Sequence, residues 1–138
     1  MGIVLDTSIL IAAARRALRF EALLESLGDE PVAISAITAS ELLHGCHRAT
    51  SAGVRARRSA FVEALLDAIP VLPFGLGEAR LHAEIWAELV RQGTVIGPHD
   101  LLIAASAMAR GYGVASMNQD EFARIAGLQV VAIDRFLS

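Results

Sequence analysis

Ile3-Val4-Leu5-Asp6-Thr7-Ser8 is the stretch on which the reading of the fold turns. A short apolar run with β-branched members reads as a buried strand, and the amphipathic residues that follow read as a helix. Asp6 stands at the junction. In an open α/β sheet, a carboxylate at the carboxyl end of the first strand lies where such folds bind ligands. Asp is also a favoured helix N-cap, so Asp6 alone leaves both readings open.

Working outward, strands and helices alternate. The first helix is expected over 8–27, closed near Gly28 by the turn Asp29-Glu30-Pro31. Val32-Ala33-Ile34 is a second strand, and Ser35 or Thr38 can cap a helix running to His47. An arginine-rich segment, Arg48 to Arg58, bends into a helix over 55–68, and Pro70 to Phe74 reads as extended. A long helix, 78–91, places Leu81, Ile85 and Leu89 on one face. Gly93 and Gly97 interrupt it. Pro98 then suits a helix start, and that helix runs to Arg110. Strand Val114-Ala115-Ser116, a short helix over 119–126 and a last strand, Gln129 to Ile133, complete the chain. This order predicts a three-layer α/β/α sandwich with a central, mostly parallel sheet, as one domain over 1–138.

Composition agrees. A hydrophobic content of 54% suits a sheet covered on both faces, with surplus apolar surface for a subunit interface. No apolar run approaches the roughly 18 residues of a membrane span. The N-terminus lacks the pattern of a secretory signal. A lone cysteine, Cys46, cannot form an internal disulfide, so a reducing cytoplasm is the expected compartment. The net charge is −3, yet all 12 basic residues are arginines. Without lysine there is no P-loop and no Schiff-base chemistry. Arginines suit bidentate phosphate contacts, and an acidic protein still binds RNA if its arginines cluster.

Three further acidic or amide positions stand at or near predicted helix starts: Glu41, Asp100, and Asn118 or Asp120. Each has a structural explanation. Thr38…Glu41 has the spacing of a capping box. Asp100, Asn118, Asp120 and Glu121 favour the helix macrodipole where they stand. Jointly, they predict an oxygen-rich cluster at one face. Crowded carboxylates repel unless a cation sits among them, and Mg²⁺ or Mn²⁺ takes such ligands. Ions of this kind serve phosphodiester cleavage by activating water and compensating charge.

Four segments, in order, carry a resemblance. They are Ile3 to Ser8, Ile34 to Gly45, Ile96 to Ala105, and Ser116-Met117-Asn118-Gln119-Asp120-Glu121-Phe122. Together they resemble the PIN domain family, and within it the VapC-type toxins of bacterial toxin–antitoxin pairs. The resemblance spans essentially the whole chain. It implies a homodimeric, Mg²⁺- or Mn²⁺-dependent ribonuclease, silenced by a cognate antitoxin. Asp6, Glu41 and Asp100 match the family's three acidic metal positions. Asn118 falls on the fourth, where Asp or Asn is usual, and Asp120 is the alternative. Thr7 or Ser8 would offer a hydroxyl to substrate or to a water at the metal, and Ser116 would hydrogen-bond near the centre. The implied mechanism is attack of metal-activated water on RNA phosphate, leaving a 5′-phosphate and a 3′-hydroxyl.

Rival readings are an RNA-processing nuclease with no toxin role and a binding module that has lost the metal. A phosphatase with an aspartyl nucleophile would want a second acid where Ser8 stands, and no Gly-x-Gly-x-x-Gly supports a nicotinamide enzyme. His44, Cys46 and His47 lack a fourth ligand at zinc spacing. Trp86 and the Leu81/Ile85/Leu89 stripe read as core or dimer surface. Arg48, Arg55, Arg57 and Arg58 read either as a track for an RNA backbone or as a solvated face.

Overall fold

In the computed structural model, which describes residues 1–138, five strands form one parallel sheet in the order β3-β2-β1-β4-β5. They are β1 (Ile3–Leu5), β2 (Val32–Ser35), β3 (Val71–Leu72), β4 (Gly113–Ala115) and β5 (Val130–Val131). The register pairs Ile3 with Val32 on one side and with Gly113 on the other. Seven helices connect the strands: α1 (Thr7–Ala14), α2 (Phe20–Leu27), α3 (Ala36–His47), α4 (Ala52–Ala68), α5 (Leu76–Gln92), α6 (Pro98–Met108) and α7 (Gln119–Phe122). A 3₁₀ turn, Asp134–Phe136, ends the chain.

Side-chain alternation along the strands divides the core in two. Ile3, Leu5, Ile34 and Ala115 point to one face, where α1 to α4 contribute Ile9, Leu10, Leu23, Leu42 and Val62. Val4, Ala33 and Val114 point to the other, where α5, α6 and α7 contribute Leu89, Leu101, Ile103, Ala104 and Phe122. These are the three layers expected, with every strand pair parallel. The long α5 buries Leu89 and packs Ile85 against the second core, but Trp86 is 57% exposed and belongs to the surface.

The chain departs from expectation most clearly between residues 15 and 19. A single helix over 8–27 is not formed; α1 stops at Ala14 and α2 starts at Phe20. Arg16 turns into the left-handed region (φ 58°), and its N–H donates to the Ala13 carbonyl at 3.1 Å. The Ala17 N–H closes on the Ala12 carbonyl at 2.8 Å. This pair of bonds is a Schellman termination, made here without the usual glycine. The released segment pairs with the C-terminus: Leu18 bridges Leu137, the Arg19 N–H donates to Phe136 O at 2.7 Å, and the Ser138 N–H donates to Ala17 O at 3.0 Å. Phe136 is buried in the first core beside Leu18 and Leu23.

This topology locates the site. From β1 the chain moves outward through β2 and β3, then returns to the other side of β1 as β4 and β5. The reversal leaves a crevice beyond the carboxyl ends of β1 and β4, where Asp6 and Ser116 emerge.

Candidate active site

Each local explanation for the acids can be compared with what the side chains do. Asp6 occupies the N-cap of α1, yet its side chain makes no capping hydrogen bond. It is 2% exposed, and its Oδ2 accepts from two hydroxyls, Ser8 Oγ at 2.6 Å and Ser116 Oγ at 2.8 Å. Those serines are anchored in turn. Ser8 Oγ accepts from the Met117 N–H at 2.9 Å, and Ser116 Oγ accepts from the Asn118 N–H at 2.8 Å. The junctions after β1 and after β4 are thereby tied together through one carboxylate oxygen.

Glu41 is not the acid of a capping box either. The cap of α3 is Ser35, whose Oγ accepts from the Thr38 N–H at 3.1 Å. Thr38 is fully buried, and its own N–H is the donor that Ser35 accepts. Glu41, one turn further on, accepts at Oε1 from Thr7 Oγ1 at 2.8 Å, and Thr7 Oγ1 also lies 3.0 Å from Thr38 Oγ1. Its Oε2 stands 3.4 Å from His99 Nδ1. Thr7 is buried, so its hydroxyl serves Glu41.

Asp100 lies in the first turn of α6, behind Gly97 and Pro98. Burial, then the charge of Asp6, then a hydrogen bond to Glu121 and the charges of Glu121 and Glu41 push its pKa up to about 7. Such a shift arises where carboxylates converge in a partly desolvated place. Asp6, Glu41 and Glu121 stand close enough to Asp100 for their charges to act on it.

Glu121 is the residue that reading the sequence left out of the metal set. It comes from α7 and accepts a hydrogen bond at Oε1 from the Gly97 N–H. A Cβ at Gly97 would stand 3.2 Å from that oxygen and 3.7 Å from Asp100 Oδ2, so the glycine lets backbone approach both acids. Asn118 caps α7 by position, without a side-chain cap bond, and is exposed at the edge of the cleft. Asp120 is exposed and lines a polar recess that Asn118 and Glu121 also border, with Arg124 and Asp134; unlike Glu121, it does not contribute to the shift of Asp100. The signal for Glu121 was its place three residues after Asn118, one helical turn along. Which of two adjacent acids turned inward depended on how α7 docks through Phe122, which is fully buried.

All the converging groups are oxygen donors, which suits a hard divalent cation. No three of these side chains close on one point as a formed cation site. The other suspected ligands are scattered: Cys46 is buried and its Sγ donates to Leu42 O, while His44 and His47 are exposed.

Comparison with known proteins identifies the family. The PIN domain family matches residues 3–128. Ribonuclease VapC1 of Rickettsia felis is 37% identical over 133 residues, covering 96% of this chain and 97% of that protein. The crystal structure of VapBC2 from Rickettsia felis, bound to a DNA fragment from its promoter, superposes with a TM-score of 0.86 at 27% identity. It covers 95% of this chain and 98% of the other. VapBC-5 of Mycobacterium tuberculosis, a member of the VapBC family of toxin-antitoxin systems, gives a TM-score of 0.77 at 32% identity, over 96% of this chain and 100% of that one. With its four acids gathered at the switch point of a parallel sheet, the chain belongs to the PIN domain family, on its VapC branch.

Proposed function

We propose that this protein is the Mg²⁺- or Mn²⁺-dependent endoribonuclease toxin of a toxin–antitoxin pair. The observation that carries the reading is the crowding of Asp6, Glu41, Asp100 and Glu121 from four separate elements, which holds Asp100 near a pKa of 7. Four acids placed together are costly without a counter-ion. Those four residues would hold the cation, with Asn118 as a neutral oxygen donor at the rim. A bound ion of this kind supplies acidification of the water nucleophile and neutralisation of charge on the phosphoryl oxygens.

The chain's own residues do the rest. Ser8 and Ser116 fix Asp6 through Oδ2, and Thr7 fixes Glu41 through Oε1, so both acids are oriented before anything binds. Orientation of this sort saves reorganisation during reaction. Burial and the neighbouring acids favour the protonated form of Asp100, and a bound cation would favour its ionised form.

Two partners belong to the same reading. A cognate antitoxin is supported by the VapBC complexes to which the fold is similar. A second copy of the chain is supported by Trp86, Val90 and Val95, exposed apolar side chains that border one recess on and beside α5.

The test is incubation of purified, antitoxin-free protein with total cellular RNA and Mg²⁺ or Mn²⁺. EDTA and an Asp100→Asn variant serve as controls. Discrete products that vanish in both controls are expected. Full cleavage by a folded Asp100→Asn protein would overturn the assignment of the site.

A further inference from the structure

The acidic cleft repels the molecule it is proposed to cut. RNA brings a phosphate at every nucleotide, and something must offset four clustered acids while the strand is seated. Of the twelve arginines, Arg91 alone reaches a carboxylate, Glu88, within salt-bridge distance. The remaining guanidiniums are not spread evenly.

A groove of about 410 Å³ opens directly beside the cleft and shares Glu41 with it as a wall. Arg15, Arg48 and Arg58 line it, from the end of α1, the end of α3 and the middle of α4. All three are exposed, and none is paired with Glu41. Arg58 is partly fixed already: its Nη1 donates to Gly45 O at 3.1 Å. A guanidinium has five donors, so four remain for a ligand. The floor includes Leu42 and Phe61, with Phe61 38% exposed.

We infer that Arg15, Arg48 and Arg58 form a phosphate track that seats the RNA strand on the Glu41 side of the scissile bond. The inference rests on the ribonuclease reading and extends it by naming positioning residues for the substrate. Three exposed guanidiniums lining one groove, none of them paired with a carboxylate, match a polyanion, and the apolar lining between them suits the sugars and bases that the phosphates carry. Phosphate contacts position a strand without reading it, and apolar side chains such as Phe61 take the faces of sugars and bases. Sequence preference would then arise elsewhere.

The test measures binding of a fluorescent, single-stranded mixed-sequence oligoribonucleotide to intact, antitoxin-free protein in EDTA, across a salt series. It is paired with steady-state cleavage in Mn²⁺. Arg48→Gln and Arg58→Gln should each weaken binding and flatten the log–log salt slope by about 0.7, the value for one phosphate contact on a single strand. In cleavage, KM should rise with kcat held, the signature of lost uniform binding. Arg57→Gln is the control: the same helix and charge change, but outside the groove, with no effect expected. Equal effects of all three substitutions would reduce the track to net charge and overturn it. RNA cleavage that persists with unchanged KM in the groove variants would overturn the track while sparing the ribonuclease. If those variants instead lose only inhibition by the antitoxin, the groove belongs to the protein partner, and the inference fails. Wild-type protein that neither binds nor cuts RNA in Mn²⁺ would remove the ribonuclease reading and the track together.

Discussion

Asp100 is where sequence and chemistry meet most measurably. Its folded pKa of about 7 lies above the ordinary carboxylate value of 3.8, so the native state binds its proton more tightly than the unfolded chain. The sign follows from linkage: the cost of ionising it is absent below about pH 4, grows as pH rises, and is complete above about pH 7. The metal-free protein should therefore lose stability between pH 4 and pH 7. Urea midpoints across that range should fall for wild type and fall less for Asp100→Asn. The same substitution should lower cleavage by roughly 10²-fold or more, the scale on which preorganised electrostatic groups act. A second pair separates neighbours: Glu121→Gln should impair cleavage and Asp120→Asn should not, because only Glu121 stands against Asp100. Equal loss in both would return Asp120 to the site. Substituting Ser116 by Ala frees Asp6 Oδ2 from one donor and should weaken cation binding about 10–100-fold, as outer partners of ligands generally do. Titration calorimetry with Mn²⁺ checks it.

At the scale of elements, the caps show how local pattern and tertiary use diverge. Thr38 and Glu41 have the spacing of a capping box, but Ser35 caps α3, which frees Glu41 to face the cleft. The helix pattern from 8 to 27 is continuous in sequence, yet it breaks at Arg16 because the C-terminal segment pairs with the freed backbone. Phe136 anchors that pairing at 6% exposure. Phe136→Ala should cost about 3–5 kcal/mol, the range for buried Phe truncation, and should speed amide exchange at Arg19 more than at β1. Denaturant melts and hydrogen exchange test both parts. Slow exchange at Arg19 in a destabilised variant would mean that the break in the helix does not depend on the C-terminus.

For the molecule as a whole, the uncovered apolar residues on and beside α5 set the expected assembly. Trp86 is 57% and Val90 66% exposed on one helix, with Val95 at 79% in the loop that follows. Sedimentation should give a dimer for wild type and a monomer for Trp86→Glu with unchanged circular dichroism. A dimer that survives the substitution would place the interface elsewhere. No helix is long and apolar enough to cross a membrane, so this surface is not part of a helical span.

The sequence by itself determined the layers, because they follow from period: apolar runs of strand length alternating with amphipathic helices favour a mostly parallel sheet covered on both sides. The strand order β3-β2-β1-β4-β5, and with it the switch point, was decided by the tertiary structure. The sequence also singled out Asp6, Glu41 and Asp100, through the resemblance of the segments around them to the PIN domain family, since position after a strand or near a helix start left a structural explanation open for each. Only the tertiary structure decided that Glu121 rather than Asp120 meets Asp100, that Thr7, Ser8 and Ser116 orient the acids, and that α1 ends early. Those outcomes depend on contacts between residues more than a hundred positions apart, Ser116 with Asp6 and Ser138 with Ala17 among them. Periodicity within a helix or strand does not encode such distances; packing does.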